Sequence, residues 1–384
     1  MNKKISNFAL DMDENTKIQF DSCCSEKFVV SASLMPDAHS GYVAPIGSVF
    51  VTKDVVVPSW VGYDIGCGMI ACRVVNFKGN IGQVESRAKE IFLDLQKRVP
   101  MGMGKLNHQQ EISEKTRDEF KNLLNEFKGG EYREEVYKFL KNKALSHLGT
   151  LGDGNHFIEL SKSEDGEELW FIIHSGSRGI GYKVAEFYMK EASGSDRQFE
   201  VTSELDVNTL SGKEYLNVLK FGLDFALLNR LEMAYKVRDS LREVFGDKSI
   251  DFELWCNKNH NHAIEENGLY VHRKGATPAK KGERGVIPAN MRDGCFLVEG
   301  LGNKEFLHSS SHGAGRKMSR TETKKKVSIK QFEKSMEGIV GTVGVGTLDE
   351  APDAYKNIFD VMEKQRDSVK IVKRLIPIVN WKGE

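Results

Sequence analysis

Six histidines, one aspartate and one cysteine keep unusual company in this chain of 384 residues. His39 follows Pro36-Asp37 in a turn. His156 lies in Gly152-Asp153-Gly154-Asn155-His156-Phe157, and His174 ends an apolar stretch before Ser175-Gly176-Ser177-Arg178-Gly179. His260 and His262 share a polar run, and His312 precedes Gly313-Ala314-Gly315-Arg316. Four of these set a ligating side chain where a strand runs into a Gly-rich loop, where backbone can approach a ligand closely. Asp64 and Cys67, within Gly62–Gly68, repeat the arrangement with a carboxylate and a thiol. Together they offer the mixed O, N and S donors that suit a divalent transition metal, and a thiol between two glycines could reach two ions. Taken singly, each histidine is more often a hydrogen-bonded core or surface residue than a ligand, and Cys67 alone is most often a small buried hydrophobe. HExxH, paired CxxC and EF-hand patterns are absent, so both readings stay open.

Phosphate chemistry has comparable support. Ser175–Gly179 and His312–Arg316 each join small residues to an arginine, so free backbone N–H groups and a guanidinium fork could cradle an anion. No GxxxxGK[ST] occurs, which argues against a P-loop enzyme. A neutral imidazole at His312 could attack phosphorus and pass the group on.

The elements that must position these residues read as α+β. Short β segments are expected at Phe28–Leu34, Ile46–Val51, Val55–Val57 and Met69–Val74, with loops at Met35–Gly41 and Gly62–Gly68. Helical periodicity covers Ile81–Lys97, Glu111–Phe127 and Tyr132–His147 and, most clearly, Lys213–Val244. Strands return at Phe157–Leu160, Leu169–His174, Glu253–Cys256, Leu269–Arg273, Gly285–Ile287 and Cys295–Glu299. A helix at Asp353–Lys364 and an extended tail at Val369–Val379 close the chain. The expectation is one interleaved domain over residues 1–384, with a β-sandwich-like core covered by surface helices.

Composition narrows the function. Hydrophobic residues make up 40% and charged ones 29%, as in a folded soluble protein, and no apolar run is long enough for a membrane span. Six cysteines form no disulfide framework, and no secretory signal is visible, so a cytoplasmic setting without a membrane partner is expected. The 55 basic and 55 acidic residues cancel, yet Val271–Lys330 alone holds 14 basic and 5 acidic ones. That local excess suits an anionic partner such as RNA, with Arg273, Lys280, Lys281 and Arg320 as candidates for a basic wall; a solvated face suits it as well.

These motifs, in this order, resemble the RtcB family of GTP-dependent RNA ligases. The match includes Met-Pro-Asp-Ala-His at 35–39, Val-Gly-Tyr-Asp-Ile-Gly-Cys-Gly at 61–68 and Gly-Thr-Leu-Gly-Asp-Gly-Asn-His-Phe-Ile-Glu at 149–159. It continues through His-Ser-Gly-Ser-Arg-Gly at 174–179, His260-Asn261, Arg-Lys-Gly-Ala at 273–276, His-Gly-Ala-Gly-Arg at 312–316 and Asp-Glu-Ala-Pro-Asp-Ala-Tyr-Lys at 349–356. The resemblance implies two Mn²⁺ ions bridged by Cys67, one also held by Asp64 and His156, the other by His174 and His260. It implies GTP as co-substrate, His312 as the residue that accepts GMP, and Asp37 near the metals. Guanine and ribose contacts would fall to Asn155, Glu159, Tyr355 and Lys382, with Ala314 and Gly315 lining the nucleotide. Arg178 and Arg316 would meet phosphate. The RNA partner would carry a 3′-phosphate or 2′,3′-cyclic phosphate and a 5′-hydroxyl, and the protein would be a monomer.

One stretch departs from the pattern. Where many members read Pro-Gly-Ser-Met-Gly, this chain reads Pro288-Ala289-Asn290-Met291-Arg292-Asp293-Gly294-Cys295, with Asn290 available to guanine. Met-Arg-Asp-Gly is similar to a divergent branch coupled to a release-factor-like protein, which implies repair of ribosomal RNA. Two other functions stay open beside ligation: a metal-dependent RNA phosphoesterase, and an RNA-binding protein without turnover.

Overall fold

The computed structural model describes residues 3–102, 104–108 and 111–383. Its main sheet runs Arg284–Pro288, Cys295–Gly300, Val369–Lys382, Phe157–Ser163, Leu169–Ser175, Gly68–Val75, Asp251–Asn259, with every neighbour on this path antiparallel. The two-residue strand Val340–Gly341 adds a short parallel pairing to Val369–Lys382. The sheet curls until its outer strands nearly meet, and Trp255 Nε1 donates to the Gly285 carbonyl across the seam at 3.0 Å. Curling follows from strand twist, and near-closure removes most of the exposed edge.

The period-two alternation of the strands then sorts side chains between two cores. Met69, Trp170, Ile172, Val286, Leu297 and Leu375 fill the inside of the curl. Ile70, Cys72, Ile158, Leu160, Phe171 and Ile173 face outward onto helices. The helix Ala88–Arg98 meets them with Ala88, Ile91, Phe92 and Leu95, spaced on one face. The 36-residue helix Leu210–Phe245 adds Met233, Ala234, Val237 and Leu241. Thr209 caps its first turn and Gly246 ends it at φ +64°.

A second, five-stranded sheet has the order Lys4–Asn7, Val29–His39, Ile46–Thr52, Leu269–Lys274, Asn261–Glu266. The chain passes from one sheet to the other at His260, between Asp251–Asn259 and Asn261–Glu266. A small ladder of Ala276–Pro278 with Ser309–Ser311 delivers His312 just beyond its end.

The α+β class is as expected, and several boundaries are corrected. Met35–His39 are not loop: they continue the strand Val29–His39 beyond a register shift, and the Pro36 carbonyl accepts the Leu10 N–H. The helix expected over Ile81–Lys97 breaks at Arg87. Arg178 opens a helix, Arg178–Ser193, rather than lying within a Gly-rich turn over Ser175–Gly179. The strand Asn261–Glu266 and the helix Glu14–Ser25 were not anticipated. The final strand extends to Lys382, because its later residues are held between two sheet neighbours.

Phe171 is fully buried between sheet and helices, where its removal leaves a cavity. Phe171→Ala should lower unfolding free energy by about 3–5 kcal/mol in urea titrations monitored by circular dichroism.

Candidate metal and nucleotide site

A cavity of about 820 Å³ lies where the two sheets meet, and its wall includes Asp64, Cys67, His174, His260 and His312. Each arrives by local necessity. Asp64 and Cys67 sit in the short loop entering Gly68–Val75, closed by the Cys67 N–H donating to the Asp64 carbonyl at 3.0 Å. Gly66 in that loop has φ +71°, and a Cβ there would stand 2.7 Å from Ala226 on the long helix, so glycine is what lets the loop seat. His174 points to the inner face of Leu169–Ser175, in phase with Trp170 and Ile172. His260 occupies the crossover, its N–H donating to the Cys67 carbonyl at 2.7 Å.

Read in order of contact, five side chains form a row. Asp64 Oδ2 lies 3.0 Å from His156 Nε2, and His156 Nε2 lies 3.4 Å from Cys67 Sγ. Cys67 Sγ lies 3.2 Å from His174 Nε2, which lies 3.3 Å from His260 Nε2. Cys67 is the middle member. Cys67, His156 and His174 by themselves bring three donor atoms within 4.8 Å of one another, all buried. His174 Nδ1 must donate to the Asn155 carbonyl at 3.1 Å, which leaves Nε2 bare to bind a cation.

Charge fits the same use. Burial holds His174 and His260 well below the ordinary imidazole range, so both are neutral donors. Burial pushes the Asp64 carboxyl up, but the His156 ring beside it outweighs this and keeps the group ionised. Burial, aided by the Asp64 charge, pushes the Cys67 thiol well above its usual value. A divalent cation is the agent that would reverse that and take the thiolate.

Beneath the row lies Arg230, fully buried on the long helix. Its guanidinium donates to the Gly66 carbonyl at 2.9 Å, the Ser175 carbonyl at 2.8 Å and Asn259 Oδ1 at 2.6 Å. Each acceptor adjoins one of Cys67, His174 and His260. Lys274 is half-buried on the cavity wall, donates to the Val61 carbonyl at 3.0 Å, and is pushed down to about 8 by desolvation.

His312 stands at the far end of the row, its ring centroid 4.9 Å from that of His260. Its Nδ1 lies 2.7 Å from Asp37 Oδ2. The backbone N–H groups of His312 and Gly313 reach the same oxygen at 3.1 and 3.3 Å. Burial raises the Asp37 carboxyl, but the His312 contacts outweigh it and hold the group low. Asp37 therefore lies against His312. Gly315, at φ +74°, allows this approach, since a Cβ there would stand 2.1 Å from the Asp37 carbonyl oxygen.

The expected nucleotide residues Asn155, Glu159, Asn290, Ala314, Gly315, Tyr355 and Lys382 all line the cavity. Their partners differ. Asn290 spends its amide inside a turn, donating to Asp293 Oδ2 at 2.8 Å and accepting from the Arg292 and Asp293 N–H groups. Tyr355 and Lys382 both bond Glu350, Lys382 at 2.7 Å. Glu350 is buried and held down at about 2, because Lys382, Arg320 and Arg316 outweigh the burial that would raise it. This hub lay within a motif already singled out, yet only its charge clustering in space marks it. Arg230 had a fainter signal, a polar pair (Asn229-Arg230) inside an apolar helical run.

Three arginines correct the sequence picture. Arg273 is 1% exposed, with its guanidinium held by Ser309, His262 and Glu266, so it cannot line an RNA groove. Arg178 lies off the cavity wall and is tied to Thr150 Oγ1 and the Gly102 carbonyl. Arg316 lines the cavity but spends its fork on Glu350, Thr323 and the Asp349 carbonyl.

Burial raises Glu159 to about 7, despite donors at Ser161, Asn380 and Cys295. Its proton is held more tightly folded than unfolded, so this contribution to stability is present below about pH 4.5 and is lost as pH rises through 7. Urea titrations between pH 4.5 and 8 should show wild-type stability falling relative to Glu159→Gln; parallel curves would refute the assignment.

Residues 19–383 match the family model described as tRNA-splicing ligase RtcB. RNA-splicing ligase RtcB1 of Escherichia coli is 34% identical over 370 residues, covering 91% of this chain and 90% of that protein. RNA-splicing ligase RtcB of Escherichia coli strain K12 is 33% identical with the same coverage. The tRNA-splicing ligase RtcB of Nanoarchaeum equitans is 29% identical over 434 residues, covering 93% of this chain and 89% of its own. With a family model matching residues 19–383 and relatives aligned over 91% of its length, the chain belongs to the RtcB family of RNA ligases.

Proposed function

We propose that the protein joins RNA 2′,3′-cyclic phosphate or 3′-phosphate ends to 5′-hydroxyl ends, using GTP and Mn²⁺, through GMP carried on His312. The observation that carries this reading is the Asp37–His312 pair set against His260. A hydrolase working through metals alone has no use for an imidazole oriented by a buried carboxylate, and neither has a passive RNA binder. The reading includes residues 1–384 acting as one catalytic domain, a monomer in the cytoplasm, in tRNA splicing or RNA repair. Among the described residues no helix is long and apolar enough to cross a membrane.

Asp64, His156 and Cys67 would hold one Mn²⁺, and Cys67, His174 and His260 the other, in keeping with the central place of Cys67 in the row. Bound there, Mn²⁺ supplies Lewis-acid stabilisation of phosphate charge. Asp37 Oδ2 lies 2.7 Å from Nδ1 of His312 and would take its proton-bearing side, so the Nε2 lone pair is the one that attacks the α-phosphorus of GTP. An N–P bond forms, the bond to the pyrophosphate oxygen breaks, and pyrophosphate leaves with the electron pair. An oxygen of the RNA 3′-phosphate then attacks that phosphorus, the N–P bond breaks, and His312 returns to its neutral form. The 5′-hydroxyl attacks the activated 3′-phosphate, GMP departs, and the strand is sealed. A cyclic end first takes up water to become the 3′-phosphate. Asn155, Glu159, Asn290, Tyr355 and Lys382 surround guanine and ribose, with Ala314 and Gly315 leaving room; the guanine N–H donors would favour ionised Glu159.

Incubation with labelled GTP and Mn²⁺, followed by denaturing electrophoresis, should give an acid-labile labelled protein. His312→Ala should abolish the label while retaining metal content, and should still seal RNA already carrying a 3′-terminal guanylate. A labelled His312→Ala protein would refute the assignment. Asp37→Asn should slow label formation on the order of 10²-fold by unsettling the tautomer. Cys67→Ala should lower bound Mn²⁺ in plasma emission analysis of the dialysed protein; unchanged metal content would remove Cys67 from the site.

A further inference from the structure

Three tyrosines form a contiguous aromatic group running out from the cavity. Tyr42 and Tyr63 line its wall, and Tyr63 immediately precedes Asp64. The Tyr42 and Tyr63 rings meet edge to face, with centroids 5.9 Å apart and planes at 90°. Tyr63 stacks on Tyr182, centroids 4.7 Å apart and planes 16° from parallel. Yet Tyr42 is 76% exposed and Tyr182 is 48% exposed. Single exposed aromatics are ordinary on protein surfaces. Three linked in a row through Tyr63 beside the cavity are not explained by packing, because the outer two bury little.

The group is also held in place. Gln19 donates from Nε2 to the Gly41 carbonyl at 2.8 Å and accepts the Gly41 N–H at 3.0 Å, which anchors the loop bearing Tyr42. Tyr63 donates its hydroxyl to Glu200 Oε1 at 2.5 Å. Tyr182 rides on the helix Arg178–Ser193. Fixing the backbone while leaving the rings open lowers the ordering cost for anything that stacks on them.

We infer that Tyr42, Tyr63 and Tyr182 are a stacking platform for unpaired bases next to the RNA end that enters the cavity. The inference rests on the RNA-end reading of the cavity and adds how the strand is gripped. Unpaired bases stack on aromatic faces with little regard to sequence, which suits a ligase that must accept varied ends. Elsewhere on the wall the exposed Lys317 offers charge to the backbone. The platform thus requires a single-stranded end; a fully paired blunt end offers it no free base.

The test uses the full chain and a short fluorescent RNA ending in a 3′-phosphate, in two forms. One is natural; the other has the same backbone with its last three nucleotides abasic. Anisotropy titrations of wild type should give about tenfold weaker binding of the abasic form. Tyr42→Ala should lose about tenfold on the natural RNA and little on the abasic one, whereas Tyr42→Phe should retain wild-type affinity. Tyr182→Ala should repeat the pattern and guard against a local defect at residue 42. Equal affinity of wild type for both forms, or equal losses on both forms in the variants, overturns the platform. GTP labelling of wild type in the same samples separates the two readings. Labelling without base dependence sinks only the platform, while base dependence without labelling sinks only the role of His312.

Discussion

The site depends above all on one buried cation. Among the described residues Arg230 has no carboxylate at hydrogen-bond distance and is instead surrounded by two carbonyl oxygens and two asparagine side chains. Burying a guanidinium without a counter-ion is costly unless its N–H groups are satisfied, and here they are. In satisfying them, Arg230 sets the register of three separate chain segments, those carrying Cys67, His174 and His260. The three come from a loop, a strand end and a crossover far apart in sequence. A single planar fork fixes their spacing more rigidly than three independent packing contacts would.

The second polar centre works with the opposite sign. Glu350 is a buried anion that collects Lys382, Arg316, Arg320 and Tyr355. It draws the last strand, the His312 loop and the helix Arg320–Lys326 to one point. Much of the positive charge that the sequence shows between residues 271 and 330 is consumed this way or in surface ion pairs. Lys280 pairs with Glu266, Lys324 with Asp349 and Lys326 with Glu322. A charge count along the chain cannot see such neutralisation, which is why Arg273 read as a surface cation and proved to be an interior one.

What was legible in the sequence was chemistry at loop ends; what was not was packing between distant segments. His174 and Cys67 stood out because each is a ligating side chain placed at a Gly-rich loop, although either alone also fits an ordinary core position. The long helix was plain from its periodicity. The strand Asn261–Glu266 was hidden because Asn-His-Ala-Ile-Glu-Glu lacks β-branched enrichment and owes its conformation to pairing with Leu269–Lys274. Met35–His39 looked like a loop because of Pro36 and Asp37, yet the N-terminal segment supplies partners that keep it extended. The pairing of Asp37 with His312 crosses 275 positions, beyond any local pattern.

The place of the strand Val369–Lys382 in the main sheet has a consequence for how the protein comes to exist. This strand is last in the chain but lies in the interior of the sheet, pairing with Cys295–Gly300 on one side and Phe157–Ser163 on the other. Cys295–Gly300 and Phe157–Ser163 share no neighbour until Val369–Lys382 is in place, so joining the two parts of the sheet is a long-range and late folding step. Inner core, cavity wall and the Lys382–Glu350 contact all form in that late step. Without that pairing the ligating residues are still present, but the cavity lacks the part of its wall that Asn380 and Lys382 supply.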